Sequence, residues 1–370
     1  MQGKQKISKE NKQEKYILKF SELMKPGDVI LTAASTLSSI GIREITKSDF
    51  SHAILYIGNS YMHSDLNGVH SGNPQRLLFE SPDHVKVLRL KKEYSSKVDM
   101  NKICSYARAK NGTQYSKLEA AKSVLSPESL KIKNRQFCSR LVAKAYYSAG
   151  VNIVKYPDYC TPHEISTSNF FEEVTDVIRL AEIEEIEFAN SESFLNIHNS
   201  SINKLLEDVR GLTGNDIQTL NDIDIFLINN NQYDQAFTEI LNKSGYLDIW
   251  KYDFSKNPWK YNGEIFLNYN FPSSELEKFK KLNEFPEATS DDLRKGMALG
   301  ELKLFTGTTI TENEGMKNQN QYNLYVDLYG KYKLKYFLTI IFLYKQLLNN
   351  CRRRIDAAKY VLRQYGVKIP

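Results

Sequence analysis

The chain has 370 residues, 41% hydrophobic and 25% charged, a composition that excludes a disordered protein and leaves room for two domains. A formal net charge of +6 tolerates anionic surfaces but is too mild and diffuse for a nucleic-acid binder, so no nucleic-acid partner is expected.

The first residues, MQGKQKISKENKQEKYILKF, are lysine-rich and lack the apolar core of a secretion signal. The cytoplasm is therefore the expected compartment, although export by a dedicated secretion system would leave no mark of this kind. Residues 1 to about 24 read as a charged helical lead segment. KPGDVILTA then supplies a turn and an apolar β-rich run, HAILYIG a second strand, SYMHSD a third and HVKVLRL a fourth. Residues 97 to 125 read as helical, interrupted by the turn KNGTQYS. RQFCSRLVAKAYYSAG follows, with Phe137, Leu141, Val142, Ala145, Tyr146 and Ala149 at helical spacing and Gly150 as the stop. This region, 25–184, predicts an α+β domain with a small, mostly antiparallel sheet packed on helices. From about residue 185 the texture turns polar and then helical, through INKLLEDVRGL and YDQAFTEILNKSG to a long helix from Leu334 to about Gln364. Residues 185–370 thus predict a mostly helical domain of unassigned role.

Four cysteines (Cys104, Cys138, Cys160, Cys351) are widely spaced with no CxxC pair, which suits reduced thiols better than a disulfide framework. Cys138 falls in the first turn of its helix, beside Arg135 and Arg140. Unpaired N–H groups and the helix dipole favour a thiolate there, and the same donors can hold an oxyanion. A nucleophile also needs a base, and a histidine on a facing strand would serve.

Histidine is scarce, six in the chain, yet His52 and His63 bracket one short hairpin. On the strand, His52, Ile54 and Tyr56 share a face. With Asn59 and Ser60 as a two-residue turn, Tyr56 lies opposite His63, which puts His63 on the face of His52. That register leaves the two histidines four residues out of step, about 13 Å apart, too far for a hydrogen bond. A bulge or a longer loop would have to close the gap. Asp65 and Asn67 lie nearer His52 in the simple register and compete for the orienting role.

The segments GDVILT (27–32), SHAILYIG (51–58), MHSDLNGV (62–69), FCSRLVAKAY (137–146) and CTPHEISTSNFFEEV (160–174) occur in that order. Together they resemble the circularly permuted, YiiX-like branch of the NlpC-type papain-like cysteine hydrolases, related to lecithin–retinol acyltransferase. In that branch the strand histidine precedes the helix cysteine. The resemblance implies a papain-like core, with Cys138 as nucleophile, His52 as general base and His63 as the residue that orients the base. Glutamate is frequent at the third position in this branch, and histidine in unpermuted relatives. Arg140 departs from the glutamate common after "CS", which alters either substrate contacts or helix packing. The implied activity is hydrolysis of an amide bond, in a peptide or peptidoglycan-like substrate, through a thioester and without a cofactor. Lipid-directed acyl transfer or deacylation, and a non-catalytic binding protein of the same fold, are the alternatives.

Cys160 and His163 form a CxxH, but structural zinc sites need four ligands in paired spacing. CTPHEI reads instead as a helix start, with Thr161 as N-cap and Pro162 in the first turn, so no metal is expected. Glu80, in the loop-like LLFESPDH, reads as a solvated carboxylate, and His70 and His84 as surface residues. The apolar run YFLTIIFLY (336–344) is too short to span a bilayer, which takes about 20 residues. With its flanking lysines it suits either a helix lying on a membrane surface or, more commonly, a buried C-terminal helix.

Overall fold

The computed structural model describes residues 14–33, 49–115, 136–306 and 313–368. Arg135, residues 1–13 of the lead segment and residues 116–125 of the expected helical region lie outside them. The chain divides into two compact units, Met1–Leu206 with Gly214–Asp222, and Glu207–Thr213 with Ile223–Pro370.

In the first unit six antiparallel strands form one sheet. They are β2 (Val29–Thr32), β3 (His52–Tyr56), β4 (Tyr61–Asp65), β5 (Gly68–Gly72), β7 (Val85–Leu90) and β8 (Phe171–Glu173), in the order β5-β4-β3-β2-β7-β8. A second sheet of three short strands runs β6 (Leu78–Phe79), β1 (Tyr16–Leu18), β9 (Ile178–Leu180). Strand alternation divides the core. Val29, Leu31, Ala53, Leu55 and Leu88 are buried with Ile103, Leu141, Val142 and Tyr146, from the Met100–Ala109 and Cys138–Ser148 helices. The intervening Ile30, Ile54, Tyr56 and Val87 bury against Leu18, Phe79 and Val177, on or beside the small sheet. The six-stranded sheet therefore has a helical layer on one face and a β layer on the other, the α+β arrangement expected.

The helical reading of the lead segment fails for its described end. Residues 16–18 form β1, paired with β6 and β9, and only Phe20–Leu23 is helical. Tyr-Ile-Leu is a β-prone triplet, and two partner strands distant in sequence decide its state. For the same reason β6, β8 and β9 have no counterpart in the sequence reading: strands of two or three residues are too short to show a period.

Gly27 fixes the Cys138 helix to the sheet. Its φ of +94° turns the chain into β2, and an added Cβ would sit 2.1 Å from Met100 Sδ, so only glycine fits. The buried Tyr146 hydroxyl, from the middle of the Cys138–Ser148 helix, donates to the Gly27 carbonyl. Gly150, at φ +87°, ends that helix as expected.

The second unit is helical. Its longest element, Lys335–Gln364, packs against the helices Glu314–Tyr332, Ser290–Lys303 and Gly263–Asn268. Within the 336–344 run, Tyr336, Phe337, Ile340 and Leu343 are buried at helical spacing, which makes this a buried C-terminal helix. Among the described residues no helix is long and apolar enough to cross a membrane.

Candidate active site

Helix and strand meet at an opening in the sheet. β3 and β4 pair at Leu55–Met62 and Tyr56–Tyr61, and among the described residues their ladder goes no further toward His52. Past that point the N–H of Ala53 is directed at the Cys138 sulfur. Phe137, with extended backbone, is the N-cap, so Cys138 is the first residue of its helix and the Ser139 N–H also points at the sulfur. Cys138 is only 8% exposed. Burial pushes its thiol pKa up, but the His52 ring, hydrogen-bonded to the sulfur, and the two backbone N–H groups outweigh it, and the net displacement is downward. Cys104, Cys160 and Cys351 are all displaced upward by burial. Of the four thiols, Cys138 alone is displaced toward the thiolate.

His52 shows the complementary balance. Burial lowers its pKa, while the charge and hydrogen bond of Cys138 and the more distant Asp65 raise it, and the raising effects prevail. Its Nε2 lies 2.9 Å from His63 Nδ1, which leaves Nδ1 to face the thiol. His63 is held well below the usual imidazole range by burial and by its neighbours His52 and His70, with Asp65 opposing. It is therefore neutral and accepts the Nε2–H of a protonated His52.

The two-residue turn expected at Asn59–Ser60 is replaced by a four-residue loop, Ile57–Ser60. It is closed by the Ile57 N–H donating to Ser60 O at 2.9 Å and contains Gly58 at φ +105°. Arg108 anchors it, donating to the Ile57 carbonyl at 2.9 Å. The longer loop moves the register by two residues: Tyr56 opposes Tyr61, not His63. Parity is unchanged, so the two histidines keep a common face and are now diagonal neighbours. Asp65, the rival for the orienting role, lies 3.1 Å from His70 instead, and the Asn67 N–H donates to Asp65 Oδ1.

His70 is not a surface residue. It lies on β5 directly opposite His63, their ring centroids 4.2 Å apart, and its side chain is 16% exposed. β5 carries no strand signal in the sequence, since Gly-Val-His-Ser-Gly has neither an apolar period nor β-formers at its ends. His84 lies half-buried in the 3-10 turn Pro82–His84. Glu80 is exposed and faces Lys15 at 3.6 Å.

Arg140 is 1% exposed and serves packing: its Nε donates to the Asp158 carbonyl at 2.7 Å, and its guanidinium lies over Phe137 and Tyr159. Cys160 is buried, and Thr161 and Glu164 form a capping box over the Pro162–Ser166 helix, so the CxxH is a helix start. Tyr115 was not singled out from the sequence. Burial raises its hydroxyl pKa, and the negative charges of Cys138 and Asp65 raise it further, so a neutral O–H stands near the thiol. It precedes Cys138 by more than twenty residues and meets Gln136 in an isolated bridge, a juxtaposition no local pattern could announce.

Residues 23–197 match the family model described as "Permuted papain-like amidase enzyme, YaeF/YiiX, C92 family". No curated protein matches the chain.

Proposed function

We propose, from the premise that residues 23–197 belong to the permuted papain-like amidases, that this domain hydrolyses an amide bond by nucleophilic catalysis at Cys138. The observation that carries the reading is that Cys138 opens a helix beside His52, a histidine whose Nε2 lies 2.9 Å from a second histidine, and that it alone of the four thiols is displaced toward the thiolate. In the ground state Cys138 and His52 form a thiolate–imidazolium pair. The thiolate attacks the carbonyl carbon, and the oxyanion receives the Cys138 N–H at the helix N-terminus and the Tyr115 hydroxyl. His52 then gives its Nδ1 proton to the departing amine, leaving a thioester. Water, deprotonated by the same nitrogen, resolves the thioester and frees the acid. His63 acts through His52: by accepting Nε2–H it holds the ring in the tautomer and orientation that present Nδ1 to sulfur. The substrates are peptide or peptidoglycan-like amides.

The test is a panel of peptide amides and N-acyl substrates, with wild type, Cys138→Ala and His52→Ala compared on any that are cleaved. Cys138→Ala should abolish turnover, and His52→Ala should reduce it by about 10² to 10⁴-fold, the usual contribution of general acid–base catalysis. Turnover that survives in Cys138→Ala defeats the proposal.

A further inference from the structure

Behind His52 the β4–β5 hairpin gathers three metal-ligating side chains, of which only His63 enters the acyl-transfer chemistry. His63 and Asp65 alternate on β4 and so share a face, and His70 lies opposite His63 on β5. One ligand atom from each falls within 4.8 Å of the others. His63, whose Nδ1 is engaged by His52, has Nε2 to offer. His70 Nε2 is 3.1 Å from Asp65 Oδ1, so an imidazole nitrogen and a carboxylate oxygen already face one another in the cluster.

We propose that His63, Asp65 and His70 form a binding site for a divalent first-row transition ion of the zinc class, and that its occupancy silences His52. Two imidazoles and one carboxylate are the donor set of open, three-ligand sites, with water completing the shell. The coupling to His52 follows from proton bookkeeping, and it rests on the thiolate–imidazolium reading above. Neutral imidazole has one N–H. A metal on His63 Nε2 moves that proton to Nδ1, which then donates to His52 Nε2 instead of accepting from it. His52 must in turn keep a single proton, on Nδ1, and the second proton of its imidazolium returns to the Cys138 sulfur, so no lone pair remains on Nδ1 to take it back. The same three residues that support the base when empty would block it when filled.

The binding claim is tested without catalysis. The full-length protein, stripped with a chelator, is titrated with Co2+ and followed by its visible d–d absorption. Wild type and Cys138→Ser should each take up one equivalent, the serine variant more tightly because filling the site no longer has to dissolve the ion pair. His70→Gln should bind at least about 100-fold more weakly, since even an outer partner of a ligand is worth 10–100-fold. No stoichiometric uptake by wild type, loss of uptake in Cys138→Ser, or unchanged affinity in His70→Gln overturns the site. Should His70→Gln not fold, the paramagnetically shifted proton spectrum of the Co2+-loaded wild type decides: two histidine ring N–H signals support the site and fewer refute it. The coupling has its own arm. Zn2+ should slow iodoacetamide labelling of Cys138 at pH 7 by more than about tenfold, reversed by chelator, as expected when a mostly ionised thiol reverts to ordinary ionisation. An unchanged labelling rate with the site filled overturns the coupling.

Discussion

His63→Phe isolates the 2.9 Å contact between the two histidines. Phenylalanine fills the space of the imidazole but offers no acceptor, so a protonated His52 keeps a buried Nε2–H with nothing to receive it. A hydrogen bond involving a charged group contributes about 1.5–3 kcal/mol. Converted at 1.36 kcal/mol per pKa unit, its loss should lower the His52 pKa by about 1 to 2 units. Both the thiol and the thiolate states at acidic pH contain protonated His52, so the step that creates the ion pair should not move. The step that destroys it, deprotonation of His52, should. The assay is the pH dependence of Cys138 alkylation, followed together with the loss of imidazolium by NMR. In wild type the ion pair should persist from the lowered thiol pKa up to the raised His52 pKa. In His63→Phe the upper limit should fall by about 1 to 2 units while the lower one stays, and kcat/KM at pH 7.5 should drop about 10 to 100-fold. His63→Asn, which can present an oxygen acceptor, should recover part of the loss. An upper limit that stays put in His63→Phe would show that His63 does not hold the imidazolium.

Three further expectations bear on other parts of the molecule. Tyr115→Phe should lower kcat about 10² to 10³-fold, the usual loss of one oxyanion donor, while leaving the pH profile of Cys138 alkylation almost unchanged; equal kcat would remove Tyr115 from the oxyanion site. In the second unit, burial pushes the Asp224 carboxyl up to about 7, against the Tyr325 hydroxyl that donates to it at 2.9 Å. Because the folded pKa exceeds the unfolded one, stability from this group is complete below about pH 4 and lost as pH rises to about 7, an upper bound of about 4 kcal/mol. The Tm of Asp224→Asn minus that of wild type should therefore grow between pH 5 and 8, and a flat difference would refute the buried-acid assignment. Arg140→Met keeps the apolar stem but removes the donor to the Asp158 carbonyl and the cation over two rings, so it should destabilise by about 2–4 kcal/mol in denaturant unfolding. A change within 0.5 kcal/mol, roughly the range of neutral surface substitutions, would mean that Arg140 is not a packing residue.

Much of the candidate site was legible before any coordinates. Cys138 opens a helix because Phe137 and the apolar residues after it have helical spacing and Gly150 stops it, and a helix N-terminus is a local, sequence-encoded electrostatic environment. The parity that puts His52 and His63 on one face is equally local, since any even change of register preserves it. The distance between them was not legible. It depends on whether the loop has two residues or four, and Gly58 at positive φ, with Arg108 from a helix fifty-one positions away holding Ile57, settles that in favour of four. His70 and Tyr115 were invisible for a related reason: neither belongs to a periodic run, and each reaches the site only through the way chain segments pack.

By itself, then, the sequence determined the elements that carry a period or a cap, the order of the five motifs, and which thiol sits where an anion is favoured. Those properties come from backbone sterics, side-chain alternation and unpaired N–H groups within a few residues. Tertiary structure alone decided the pairing of the shortest strands, the two-residue shift that brings His52 to 2.9 Å from His63, and the gathering of His63, Asp65 and His70 at one place. Each of these is a contact between backbones that meet through a shared sheet, and its energy is realised only when distant segments are already in register.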